Sequence, residues 1–128
     1  MNVKKMKTKS SRLRKPLVLL LGILVTGGIL LYAGWIKVLY PNGGEVLKTG
    51  TAIQVKWQSQ DINGQVVIVL YKKGIKYMVI SEQTENNGTF PWNIPANLPE
   101  GSDYRVRIRG VQDLAVNDFS DRDFTIKK

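Results

Sequence analysis

Three arginines, Arg105, Arg107 and Arg109, alternate with Tyr104, Val106 and Ile108 in the segment YRVRIR. In an extended chain successive side chains point to opposite faces, so the three guanidinium groups line one face and the apolar residues the other. A row of guanidinium groups is suited to phosphate or acidic polysaccharide, which it grips through paired hydrogen bonds. This is the candidate anionic-ligand face. The closing segment DRDFTIK offers Asp121 and Asp123 on the outer face of a neighbouring strand. Antiparallel pairing there would set them opposite the arginines, each cross-strand pair contributing about 0.2–1 kcal/mol, and the pattern favours that structural role. Asp113, Asp118, Asp121 and Asp123 could offer oxygen to calcium, but their spacing is not that of an EF-hand loop and two of them fall on a strand, so no metal site is assigned. Trp57 and Trp92 have the flat rings on which sugars stack, yet Trp57 continues the inward face of Ile53 and Val55, and core packing is the better reading of both.

The chain contains neither His nor Cys. That removes the usual zinc ligands, the imidazole base and the thiolate nucleophile together. No enzyme, no catalytic residue and no cofactor are expected. Asn87-Gly88-Thr89 fits the N-glycosylation sequon, but Asn-Gly is first of all a turn.

A second surface is suggested by VVIVLY, residues 66–71, which is apolar at consecutive positions where a strand with one wet face should alternate. With Ile68 and Leu70 inward, Val67, Val69 and Tyr71 point out, and the partner strand of the hairpin adds Tyr77 and Val79. A contiguous apolar patch of this kind marks an interface. These five residues form the candidate partner surface.

The elements that position these groups are short alternating segments punctuated by Gly, Pro and Asn. A first strand runs from Ile36 to Tyr40 and ends at Pro41-Asn42-Gly43-Gly44. Thr51 to Gln58 alternates, with Ile53, Val55 and Trp57 inward. Gln65–Lys72 and Lys76–Glu82 form a hairpin about Lys73-Gly74, and Thr89–Asn93 is a short strand in which Pro91 demands an edge or a bend. Tyr104–Arg109 and Asp121–Lys127 complete about seven strands. The fold class is all-β, an immunoglobulin-like β-sandwich, preceded by one N-terminal transmembrane helix.

That helix is read from residues 16–36, PLVLLLGILVTGGILLYAGWI, which carry no charge. At about 1.5 Å per residue the run spans a hydrocarbon core of roughly 30 Å. It exceeds the usual signal-peptide core and lacks small residues at −1 and −3 near its end, so an uncleaved anchor is expected. Seven of the 19 Lys and Arg precede it, and only Lys37 follows it directly, which puts residues 1–15 in the cytoplasm and 37–128 outside. Tyr32 and Trp35 sit where an interfacial aromatic belt belongs. From Lys37 onward 12 basic and 10 acidic side chains leave a charge of only +2 out of the chain's +9, which is no nucleic-acid footprint.

The succession YPNGGEVLKTGTAIQVKW, VVIVLYKKG, GTFPWNIPANLPEGSDYRVRI and FSDRDFTI resembles the domain of the Ser-Thr-rich glycosylphosphatidylinositol-anchored membrane protein family, also known as the yeast cell-wall synthesis protein N-terminal domain. The resemblance covers nearly all of the outer part and implies a non-catalytic extracellular β-sandwich, linked in fungi to cell-wall glucan assembly. The expected function is a membrane-anchored binding or scaffold module. Its partners would be the lipid bilayer together with a protein or a cell-envelope polysaccharide. The alternative is a single-span accessory subunit of a larger membrane complex.

Overall fold

A computed structural model describes residues Gly34–Lys128. The basic tail expected in the cytoplasm, residues 1–15, and most of the apolar run 16–36 expected to span a membrane lie outside these residues. None of the described residues forms a helix long and apolar enough to cross a membrane.

The described chain is all-β, with strands β1 (Trp35–Tyr40), β2 (Val46–Lys48), β3 (Ala52–Gln60), β4 (Val66–Lys72), β5 (Ile75–Thr84), β6 (Thr89–Asn93), β7 (Gly101–Gly110), β8 (Asn117–Phe119) and β9 (Phe124–Lys127). They form two sheets. The smaller has the order β1-β3-β6, and the larger has the order β2-β9-β7-β4-β5, with β8 pairing β7 beyond the end of β9. The two strands not foreseen from the sequence are β2 and β8, each of three residues. The single closing strand expected from Asp121 begins only at Phe124. Its place further along the β7 edge is taken by β8, and the turn between them carries the two aspartates off the ladder.

Alternation explains the core. Ile36 and Val38, Val55 and Trp57, and Trp92 from the small sheet face Ile68, Leu70, Tyr104, Val106, Ile108, Phe124 and Ile126 from the large one, all buried. Burying that many large apolar side chains is the main favourable term for a domain of this size. Because β1 takes Trp35 and Ile36, and Ile36 is buried in the sandwich, the last two residues of the 16–36 run belong to the domain and not to a helix. Trp92 enters the core from β6, an edge strand that accommodates Pro91 without losing a ladder hydrogen bond.

Two polar devices hold the layers in register. Ser120, 1% exposed, donates its hydroxyl to the Pro41 carbonyl (2.7 Å) and accepts the Val106 N–H (2.9 Å), joining the end of β1 to β7. The PNGGE segment grips the turn that follows β8. Glu45 accepts the N–H groups of Asn42 and Gly43 (2.8 and 2.7 Å), while Asn42 Nδ2 donates to the Asp121 carboxylate (2.9 Å) and Asn42 Oδ1 accepts the Asp121 backbone N–H (2.7 Å). Gly43 is required there: its φ is +138°, and a Cβ would lie 2.6 Å from that of Arg122. On the large sheet, Tyr104 near the start of β7 donates its hydroxyl to the Pro99 carbonyl, five residues back (2.6 Å), as the tyrosine corner of immunoglobulin-like sandwiches does.

Candidate functional site

The unbroken β4–β7 ladder decides where the singled-out residues meet. Val67 lies opposite Arg109, Val69 opposite Arg107 and Tyr71 opposite Arg105. Directly opposed residues share a face, so the arginine row and the apolar row occupy one surface, the outer face of the large sheet. β8 widens it by setting Phe119 beside Arg107 and Asn117 beside Arg109.

The three arginines are held differently. Arg105 Nε donates to Asp123 Oδ1 at 2.7 Å, in a pair about half exposed and therefore worth little in net stability. Arg107 is fixed on several sides: Nη1 donates to the Tyr71 hydroxyl (3.1 Å), Nε donates to Asn117 Oδ1 (3.2 Å), and the guanidinium carbon stands 5.2 Å from the Phe119 ring centroid. Tyr71 and Phe119 meet edge to face at 4.9 Å, a favoured arrangement for aromatic rings. Arg109 takes part in no ion pair among the described residues. It lines a groove of 230 Å³ with Val67, Val69, Lys76, Val79 and Glu82.

The bare apolar patch expected from the sequence is thus divided and partly covered. Val69 points outward yet is only 5% exposed, Val67, Tyr71 and Val79 are half-buried, and charged side chains stand among them. Tyr77 leaves this face altogether. The register between β4 and β5 shifts between Leu70 and Tyr71, where Lys76 rather than Tyr77 comes opposite Tyr71. The extra residue reverses the parity of the strand, and the Tyr77 ring packs edge-on to the core residue Tyr104 at 6.4 Å. Met78 and Ile80 likewise pack against the core.

Beside the hairpin end of this face lies a cleft of 440 Å³ lined by Tyr71, Lys73, Gly74, Asp103, Arg105, Phe119 and Asp123. The cleft owes its mouth to the tight β4–β5 turn, where Lys73 (φ 54°) and Gly74 (φ 74°) both adopt the left-handed conformation that matches hairpin twist. Asp103, on its rim, pairs with Lys72 at 2.6 Å. That hydrogen bond raises the Lys72 pKa above its ordinary value, against an opposing effect of burial, and the ammonium also sits 4.5 Å from the Tyr104 ring centroid. Burial raises the Tyr104 hydroxyl in turn. Both groups brace the end of the sandwich.

The remaining candidates are dispersed. Asp121 faces Asn42 and stands 3.9 Å from Lys37, not opposite the arginines. The Asp118 carboxylate accepts the Val38 N–H (2.8 Å), and Asp113 sits in the turn after β7, its carbonyl accepting the Val116 N–H. Trp57 and Trp92 are buried at 3% and 4%, and Trp57 Nε1 donates to Asn86 (2.7 Å). Neither ring is free to carry a sugar. Phe119, Asp103 and Lys73 belong to the cleft but were not singled out from the sequence. Phe119 had a signal in being an aromatic residue next to the arginine strand's partner segment, whereas Asp103 and Lys73 become neighbours only through the β4–β7 register.

A two-layer sandwich, antiparallel except where β2 runs parallel to β9, with a tyrosine corner and one decorated sheet face defines an immunoglobulin-like module. Residues 40–126 match the family model described as the Kre9/KNH-like N-terminal Ig-like domain, and the chain belongs to that family. No curated protein and no solved structure matches it.

Proposed function

We propose that the protein is a non-catalytic binding module that holds a cell-envelope polysaccharide against the outer face of its larger sheet. The apolar run anchors it, the basic tail is cytoplasmic and the sandwich is outside. The observation that carries this reading is the cleft in which the Tyr71 and Phe119 rings stand beside Arg105, Asp123, Asp103 and Lys73. Aromatic surface for the apolar face of a sugar ring, next to planar groups that pair with adjacent hydroxyls, is the equipment a polysaccharide needs. The Arg105–Asp123 bond places the two groups together beside the rings. Membership of a cell-wall-related family supports the same reading.

The test is co-sedimentation of the full chain, in mild detergent, with insoluble wall polysaccharides. Phe119→Ala and Arg105→Ala should each weaken binding about tenfold, the loss of one stacking or charge-assisted contact. If the wild type stays in the supernatant and instead emerges from the membrane in a stoichiometric complex, the accessory-subunit alternative replaces this one.

A further inference from the structure

The strand that closes the large sheet is unlike the other edges. β2 and β8 have three residues, β6 five and β1 six, whereas β5 has ten, pairs only with β4, and presents Ile75 at 71% and Tyr77 at 45% exposure. A long edge with exposed apolar side chains is a template for another strand. Bulges ordinarily blunt such an edge, and β5 carries three register shifts against β4. Any regular strand laid along it would therefore fall out of step.

One partner has the same irregularities, a second copy of β5. Lys76, Val79 and Glu82 point to the outer face, where they share the groove with Val67 and Val69. Tyr77 and Met78 lie on the inner side, as do Ile80, which packs on the core, and Ser81, which is paired with Ile68. The order out, in, in, out, in, in, out reads the same in both directions about Val79. The charges are antisymmetric about the same residue: Lys73 and Lys76 precede it, Glu82 and Glu85 follow it at matching distances, and none of the four takes part in an ion pair among the described residues. In an antiparallel pair opposed residues lie on one face and opposite charges attract. An isologous interface places each residue against its counterpart's mate.

We infer that two copies of this chain associate through their β5 edges about a two-fold axis at Val79. Lys76 of each then lies opposite Glu82 of the other, Tyr77 opposite Ser81, Met78 opposite Ile80, and Val79 opposite its own counterpart. The two large sheets become one, continuous across the axis. This association does not depend on what the cleft binds.

The chain lacks cysteine, so Val79→Cys in the full chain in mild detergent is a single reporter at the axis. Opposed Cβ atoms at about 4.5–5.5 Å lie near disulfide range, and mild oxidation should give a cross-linked dimer on non-reducing gels. Introduced alongside, Lys76→Glu sets two carboxylates against each other at both ends of the interface; it should suppress the cross-link and raise the dimer Kd about tenfold by light scattering. Glu82→Lys should do the same, and Lys76→Glu with Glu82→Lys should restore both readouts. A monomeric wild type, a cross-link indifferent to the single reversals, or a double reversal that fails to restore it would each overturn the proposal.

Discussion

β4 meets its two neighbours in opposite ways. Along β7 it runs from Val66 opposite Gly110 to Lys72 opposite Tyr104 without a shift, whereas along β5 the register slips between Val66 and Ile68, between Ile68 and Val69, and between Leu70 and Tyr71. The regular side stacks fully buried residues, Ile68 with Ile108 and Leu70 with Val106. There a one-residue slip would turn every core side chain to solvent, so register is strongly specified. The bulged side buries its residues only by halves and can spend extra residues on aiming side chains: Lys76, Val79 and Glu82 outward, Tyr77, Met78 and Ile80 inward. Core packing thus fixes one edge of β4 and leaves the other to shape a surface.

The largest effect that tests this contrast comes from shortening a residue on each side. Ile108→Ala, at a site with no exposure, should cost about 2–5 kcal/mol. Ile80→Ala, only half-buried, should cost less than half as much. Urea denaturation of the Gly34–Lys128 fragment measures both through the midpoint at constant slope, and equal losses would show that the bulged edge carries as much of the core as the regular one.

A smaller effect is expected at the end of the regular ladder. Tyr104→Phe removes the hydroxyl bond to Pro99 and should cost about 1 kcal/mol. The same cluster sets an alkaline limit. Lys72 is raised above 10.5, chiefly by its hydrogen bond to Asp103, and Tyr104 is raised above 10.0, chiefly by burial. Folded chains then hold protons that unfolded chains release, so this contribution is complete below about pH 10 and declines as pH rises through the raised values. Asp103→Asn should remove most of the part due to Lys72 and leave the burial-driven part due to Tyr104, a difference visible in denaturation midpoints between pH 9 and pH 11 but absent near pH 7 once the constant offset is subtracted.

The two sides of β4 also differ in how far they were legible before the fold was known. Tyr104, Val106 and Ile108 read as inward and the arginines as outward from alternation alone, because β7 is long and regular. The Lys73-Gly74 turn was visible as turn chemistry. The bulge at Tyr77 was not: which face a residue takes after an extra insertion is settled by packing on β4 and on Tyr104, not by the local pattern. β2 and β8 were missed because three residues hold barely one and a half periods of alternation. Nor could the sequence join the valines to the arginines, some 40 positions apart, since only the β4–β7 register makes them neighbours.

The finest distinction lies on the outer face itself, between two valines two residues apart. Val69, 5% exposed, sits opposite Arg107, which is pinned by Tyr71, Asn117 and Phe119, whereas Val67 is half-buried opposite Arg109, for which no such partners are present among the described residues. Threonine keeps the β-branched shape of valine and its preference for strands, so Val→Thr changes little at either site except the placing of one hydroxyl. At Val67 that hydroxyl reaches water, and the change in unfolding free energy should stay within about 0.5 kcal/mol. At Val69 it is withdrawn from water with no assured partner, and the loss should be about 1 kcal/mol, the lower end of the cost of burying an unpaired hydroxyl. Adding Arg107→Ala should abolish the difference, because the side chain that covers Val69 is then gone. If the two single substitutions prove equally silent, Val69 is open to solvent and the guanidinium cover over this face does not persist in solution. If the difference between the two valines survives Arg107→Ala, the cover comes from Val79 across the bulged edge, and that edge is more rigid than its broken register implies.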